Sequence, residues 1–335
     1  MNFTDSIREG FAIINRRWHL VLIRVGASVL NLAAFFVIVG IPLFIAIMVA
    51  GVEFAATSAG EFLTSLKGAF MRGYVWIAAL VLASILLYAL FAAFVWMYVV
   101  SGSMGMIARS LENRKEPFKL KLFYLEARKH FRPLANFYLA LGALILGAFI
   151  VIGMAVGGAA YISDALKGAN AFLGILLEIL LDLFIALAAL IAVFGSLNIG
   201  AYGAAVVVLD SEPAWASIKK SVDFLASHPW GFWGYSAMLI VYGTASFLLF
   251  VIGYPFRIIP IIGIIVILPY QLASYALERY LGLSLLGSAF SYYLRNTRTH
   301  IPEEAAAQAQ APAAPERPPQ GGLPDPPQTA PPEGA

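Results

Sequence analysis

Six stretches of this chain are apolar for roughly 25 residues or more, and a helix needs only about 20 to cross a hydrocarbon layer. The runs do not alternate polar with apolar side chains, so a transmembrane β-barrel is excluded. Composition agrees: 61% of the residues are hydrophobic and 12% charged, where a soluble domain is nearer a half and a quarter. The fold class that follows is all-α, a polytopic bundle of six transmembrane helices. Their expected spans are Leu20–Val52, Gly73–Val100, Leu134–Ile162, Ala171–Leu209, Gly231–Gly253 and Ile261–Tyr293. The first is expected to bend near Gly40–Pro42, because proline cannot donate a helical hydrogen bond.

Between the runs lie amphipathic stretches. Phe3, Ile7, Phe11, Ile14 and Trp18 recur every three or four residues, one apolar stripe with Arg8, Arg16 and Arg17 off it. Phe118–Phe131 and the stretch from Pro213 to Ser227, with Trp215, Ile218, Val222 and Leu225 on one face, repeat the pattern. Interfacial helices lying on the membrane surface are expected over about 3–18, 118–131 and 213–227. The transmembrane domain thus spans 1–298. Residues 299–335 hold ten prolines and almost no large apolar side chain, and are read as a disordered tail. The N-terminus is not read as a signal peptide, since its apolar run exceeds an h-region.

Orientation follows from the basic residues. With both termini inside, 17 Lys and Arg fall on the cytoplasmic side and four on the other. The excess points to anionic headgroups of the cytoplasmic (inner) membrane, and to a membrane-protein partner, rather than to nucleic acid.

The chain also resembles itself. Gly102-Ser-Met-Gly105, Gly200-Ala-Tyr-Gly203 and Ser284-Leu-Leu-Gly287 stand at the cytoplasmic ends of helices two, four and six. An offset of 211 lays Ser6-Ile7-Arg8 on Ser217-Ile218-Lys219, and an offset of 98 lays His130 on His228. The expected unit is an interfacial helix plus a transmembrane hairpin, three times over. Its small-residue pairs, Gly102/Gly105, Gly200/Gly203 and Ser284/Gly287, would let helices approach closely.

Polar residues that break the repeat are the candidate sites. Glu178 and Asp182 share one face of the fourth helix, where the other copies have Leu80 and Ser84, or Ile262 and Val266. Two readings stand: an intramembrane proton, cation or substrate site, or a pair in the wet outer interface. Arg24 and Glu278 both lie in the cytoplasmic leaflet and are expected to pair, because unpaired charges in lipid are costly. The alternative is that Arg24 and Arg279 snorkel to headgroups.

No cofactor is implied. Cysteine is absent, and His19, His130, His228 and His300 lie on separate segments without metal-ligand spacing. No Walker loop, GxSxG or dinucleotide fingerprint occurs in a strand–helix context. The function expected is a non-enzymatic membrane scaffold or accessory engaging lipid or partner proteins. The alternative is a small proton- or cation-coupled permease or channel using Glu178 and Asp182.

Leu209–Trp233 combines an acidic turn, a proline, small and serine positions and a His/aromatic entry to a helix, and Tyr292-Tyr-Leu-Arg295 follows helix six. In these features the chain resembles a diffuse group of six-helix bacterial membrane proteins, YciC-like or forming the membrane domain of some glycerophosphoryl diester phosphodiesterases. The resemblance implies a cytoplasmic-membrane protein and transfers no catalytic residue.

Overall fold

The computed structural model describes residues 3–50, 75–113, 116–255 and 260–298. The expected tail and the first extramembrane link, 53–72, lie outside the described residues. All regular structure among the described residues is helical: α1 Phe3–Arg16, α2 His19–Phe35, a π turn Phe36–Gly40, α3 Ile41–Ala50, α4 Val75–Glu112, α5 Leu120–Ala169, α6 Ala171–Leu209, α7 Ala214–Ser227, α8 Pro229–Gly253 and α9 Pro260–Arg298. Two compact units divide the chain, Met1–Leu294 and Arg295–Ala335, and the helical bundle is the first of them.

Among the described residues, five helices are long and apolar enough to cross a membrane: His19–Met48, Trp76–Glu112, Leu120–Ala169, Ala171–Leu209 and Pro229–Gly253. This is a multi-pass helical protein. α9, 39 residues long, is a sixth long helix.

The expected bend at Gly40–Pro42 takes a specific form. Pro42 has no N–H to give, and the backbone absorbs the lost bond in the π turn, where the Ile41 N–H reaches back to the Phe36 carbonyl. The helix runs on.

The second surface segment corrects the sequence reading. Phe118–Phe131 is not a helix of its own: from Leu120 it is the first part of α5, which passes through Pro133 and continues to Ala169. The other two surface segments are separate helices. α1 ends at Arg16, and Arg17 and Trp18 form a turn before α2. α7 ends at His228, whose backbone (φ −127°, ψ 69°) leaves the helical region ahead of Pro229.

The core sits at one end. It comprises the last turns of α4 (Met104, Met106, Ile107), α6 (Tyr202 to Val208) and α9 (Leu283, Phe290, Tyr293), with Ile14, Leu20, Phe137 and Tyr235. Along the rest of α4, α5, α6 and α8, large apolar side chains are mostly exposed, as suits helices facing lipid. Trp18, Trp215, Trp230 and Trp233 are exposed near the packed end, in the manner of an interfacial aromatic belt.

Small residues make the packing possible. A Cβ on Gly102 would stand 2.6 Å from the Phe123 ring, and one on Gly105 would stand 2.8 Å from Glu126 Cβ. One on Gly203 would lie 2.5 Å from the Phe137 ring and 3.5 Å from Ser221 Oγ. One on Gly287 would lie 3.2 Å from the Gly10 Cα. Gly200 is looser, 3.5 Å from Leu141, and Ser284 is buried, its hydroxyl donating to the Tyr280 carbonyl at 2.9 Å. In hydrocarbon there is no hydrophobic drive between helices, so such close approach is what holds them.

Candidate functional site

The polar residues fall into three groups, and the first lies beside a cavity along the apolar flanks. That group starts at Arg24, six residues and about 9 Å of helix beyond Trp18. Arg24 Nε donates to Ser103 Oγ at 3.5 Å, and Ser103 in turn donates to the Val99 carbonyl at 2.7 Å. Arg24 Nη2 is buried without a hydrogen-bond partner. From α9, the Arg279 guanidinium lies over the Tyr275 ring, 4.4 Å from its centroid, and its Nε is likewise buried and unpartnered. Tyr275 hydrogen-bonds Ser28 on α2. Arg279 and the hydroxyls of Tyr138, Tyr242 and Tyr275 all stand close enough to act on the Arg24 charge.

The expected Arg24–Glu278 pair is not formed among the described residues. The reason is angular. Successive helical residues point about 100° apart, so Arg279 turns toward Tyr275 while Glu278 lines a crevice beside it. That crevice, about 590 Å³, lies between α2, α8 and α9. Val25, Val29, Leu32, Leu249 and Phe250 wall it, and Ser28, Gln271, Tyr275 and Glu278 are its polar residues.

The Glu178–Asp182 pair belongs to the opposite end. Glu178 pairs with Lys167 Nζ at 2.8 Å, and Lys167 also reaches Asp164 at 3.2 Å. The α5–α6 turn sets this up: the Asn170 side chain accepts from the N–H groups of Phe172 and Leu173, and a Cβ on Gly174 would fall 2.6 Å from Lys167 N. Asp182, one turn further along, is exposed. The two carboxylates do not converge on a common site.

A third group escaped the sequence reading. At the packed end, Arg109 binds Glu116 through Nε (2.6 Å) and Nη2 (2.9 Å), and Glu126 through Nη1 (3.0 Å). Glu126 also faces His130 Nε2 at 3.3 Å. With Gly105, Lys129 and Ser211 these residues line a polar pocket of about 320 Å³. Hydrogen bonding from Arg109 holds the Glu116 carboxyl below the usual carboxylate range. Burial pushes Arg17, at the end of α1, down from the usual guanidinium value, and the Glu116 charge opposes that shift. The available signal was the i,i+4 spacing of Glu126 and His130. Its cations and carboxylates largely satisfy one another, so the pocket reads as a clamp between α4 and α5.

Among the described residues no cluster of three His, Asp or Glu could hold a metal ion. Comparison with protein families, curated proteins and solved structures finds no match to this chain.

Proposed function

We propose that the chain is a six-pass protein of the cytoplasmic membrane with both termini inside, acting as a non-enzymatic scaffold or accessory. Through the basic rim of its packed end it engages anionic lipid headgroups and partner proteins. The observation that carries this reading is the placement of structure and charge. The best-packed part of the molecule is the end that gathers α1, α7 and the start of α5. Arg8, Arg16, Lys119, Lys121, Arg128, Lys129, Arg132 and Lys219 lie at or near the surface there. Basic residues at a membrane surface attract anionic lipid at roughly 1 kcal/mol each.

The threefold repeat belongs to the same proposal, and the close approaches support it. The offsets of 98 and 211 carry Phe123 and Gly10 onto Ser221. These three residues are the ones that meet Gly102, Gly287 and Gly203. Phe123 meets the first small residue of its pair, and the other two meet the second. Each small-residue pair thus receives the surface segment of the following unit, and α1 closes the ring on α9. The resemblance of Leu209–Trp233 to the YciC-like group is in keeping with this proposal. Glu178 and Asp182 give no support to a permease, because Lys167 neutralises the first and the second stands apart.

Topology is directly testable because the chain has no cysteine. Asp164→Cys and Ser227→Cys are expected to react with a membrane-impermeant maleimide from opposite sides, Ser227→Cys only in inverted vesicles. Labelling of both from one side contradicts the arrangement. Substrate turnover or transport by the purified protein without any partner contradicts the scaffold role.

A further inference from the structure

We propose that the crevice between α2, α8 and α9 binds one lipophilic monocation, an apolar body that carries a single ammonium group. The ammonium lies on the Glu278 carboxylate and the apolar body along Val25, Val29 and Leu32. This adds a ligand site to the scaffold reading and rests on its premise that the flanks of the bundle face lipid.

The charge comes first. Glu278 is the only charged residue that lines the crevice, and neither Arg24 nor Arg279 does. Glu278 is half-buried and takes part in no ion pair among the described residues. Its depth follows from Tyr275, three residues before it on α9, which hydrogen-bonds Ser28 on α2. Ser28 lies ten residues, about 15 Å of helix, beyond Trp18, which sets Glu278 roughly 10 Å inside the Trp18 level. A carboxylate at that depth in a membrane is costly without a counter-charge, and the wall of the crevice supplies none.

The rest of the lining narrows what that counter-charge can be. An anion would meet only a like charge. Hard metal cations take about six or more oxygen ligands, and the crevice offers one carboxylate with Ser28, Gln271 and Ser274 among apolar side chains. A bare acyl chain would cover the apolar wall and leave the carboxylate unmatched. An ammonium on an apolar body uses both halves, and Tyr270 adds an aromatic ring to the lining, which favours a cation further. The volume of about 590 Å³ falls in the range of roughly 300–1,000 Å³ that holds a drug-sized molecule. Access is sideways from lipid, since Val29, Leu32, Phe250 and Leu272 at the rim are all more than half exposed. From Val25 the α2 wall runs through Leu32, about 10 Å of helix leading away from the Trp18 end. An amphiphile placed there keeps its charged end toward the interface and its apolar end toward the bilayer centre.

The test is native mass spectrometry of the purified full chain in neutral detergent, titrated with dodecyltrimethylammonium or with dodecanol as its neutral counterpart. One ammonium should bind about tenfold or more tightly than dodecanol. Glu278→Gln should erase that preference. Val29→Trp, which fills the crevice and leaves the charge intact, should weaken binding about tenfold. Asp182→Asn, which removes an exposed carboxylate elsewhere on the bundle, should change nothing. Equal affinity for the two amphiphiles overturns the proposal, as does unchanged binding in Glu278→Gln or in Val29→Trp, or an equal loss in Asp182→Asn. Displacement by tetramethylammonium alone also overturns it, because the ligand would then be a small soluble cation. Displacement by an equal concentration of phosphatidylethanolamine overturns it too, because the occupant would then be an ordinary membrane lipid. None of these results touches the scaffold reading, which is contradicted by turnover or transport and not by an empty crevice.

Discussion

Gly10→Val should lower stability by about 3 kcal/mol or more and release α1 from the bundle. A Cβ at this position would meet Ser288 N at 2.5 Å and the Ser284 carbonyl at 2.7 Å. Both are backbone atoms of α9, which cannot swing aside as a side chain can. α1 must therefore move away as a body, and it would take Ile13 and Ile14 out of the core. Helix propensity argues for the opposite sign, since glycine is about 1 kcal/mol worse than alanine in a helix interior. Gly147 supplies the control: nothing lies within 4 Å of a Cβ there, and Gly147→Ala should be neutral or stabilising. Thermal unfolding in mild detergent, with limited proteolysis around Trp18, measures both effects. Equal melting temperatures for the two variants would show that α1 does not pack on α9.

Phe137→Ala should cost about 3–5 kcal/mol. The side chain is fully buried in the first membrane turns of α5, edge-on to Tyr138 at a centroid distance of 5.2 Å. Its ring fills the space that Gly203 leaves on α6, where an added Cβ would stand 2.5 Å from it. Gly203→Ala should therefore destabilise as well, by forcing the ring aside. Together the two changes should cost less than their sum by about 1 kcal/mol, because the new methyl enters the cavity left by the ring. Unfolding of the four proteins in a denaturing-detergent titration closes this cycle. Strict additivity would mean that the ring and the glycine do not share one space.

The membrane class and the helix ends were legible because they depend on local features: apolar length, an i,i+3/i+4 stripe, or a residue ahead of proline. α1 and α7 fall where their stripes place them. The fate of the two X–Pro steps was not local. His228–Pro229 breaks the chain and Arg132–Pro133 does not. Pro133 forfeits one bond to the Lys129 carbonyl, at the packed end, where Leu134 and Phe137 dock α5 on the core. Tertiary packing outweighed the local penalty there.

The sites show the same division. Arg24 and Arg279 stand close enough for their charges to act on each other. Which way each side chain turns about its helix axis could not be read from the chain, and the choice of Glu278 over Arg279 as the neighbour of Arg24 failed on that angle. Glu178 looked unpaired because its counter-ion, Lys167, comes from the preceding helix and is brought to it only by the tight Asn170 turn.

If the surface helix of the first unit closes a ring on the last hairpin, the two can be locked together. Cysteine trapping decides the matter in a chain with no cysteine of its own. Glu9→Cys with Ser291→Cys replaces two side chains that meet across α1 and α9, the Ser291 hydroxyl donating to Glu9 Oε2 at 2.5 Å, and neither change adds a Cβ to a glycine. This pair should be joined in membranes by a short bis-methanethiosulfonate. Gly203→Cys with Ser221→Cys, where α6 meets the third surface helix, should be joined as well. Cross-linking of both pairs is expected of a closed ring. A bond at 203–221 with none at 9–291 would leave α1 outside the bundle and the ring open.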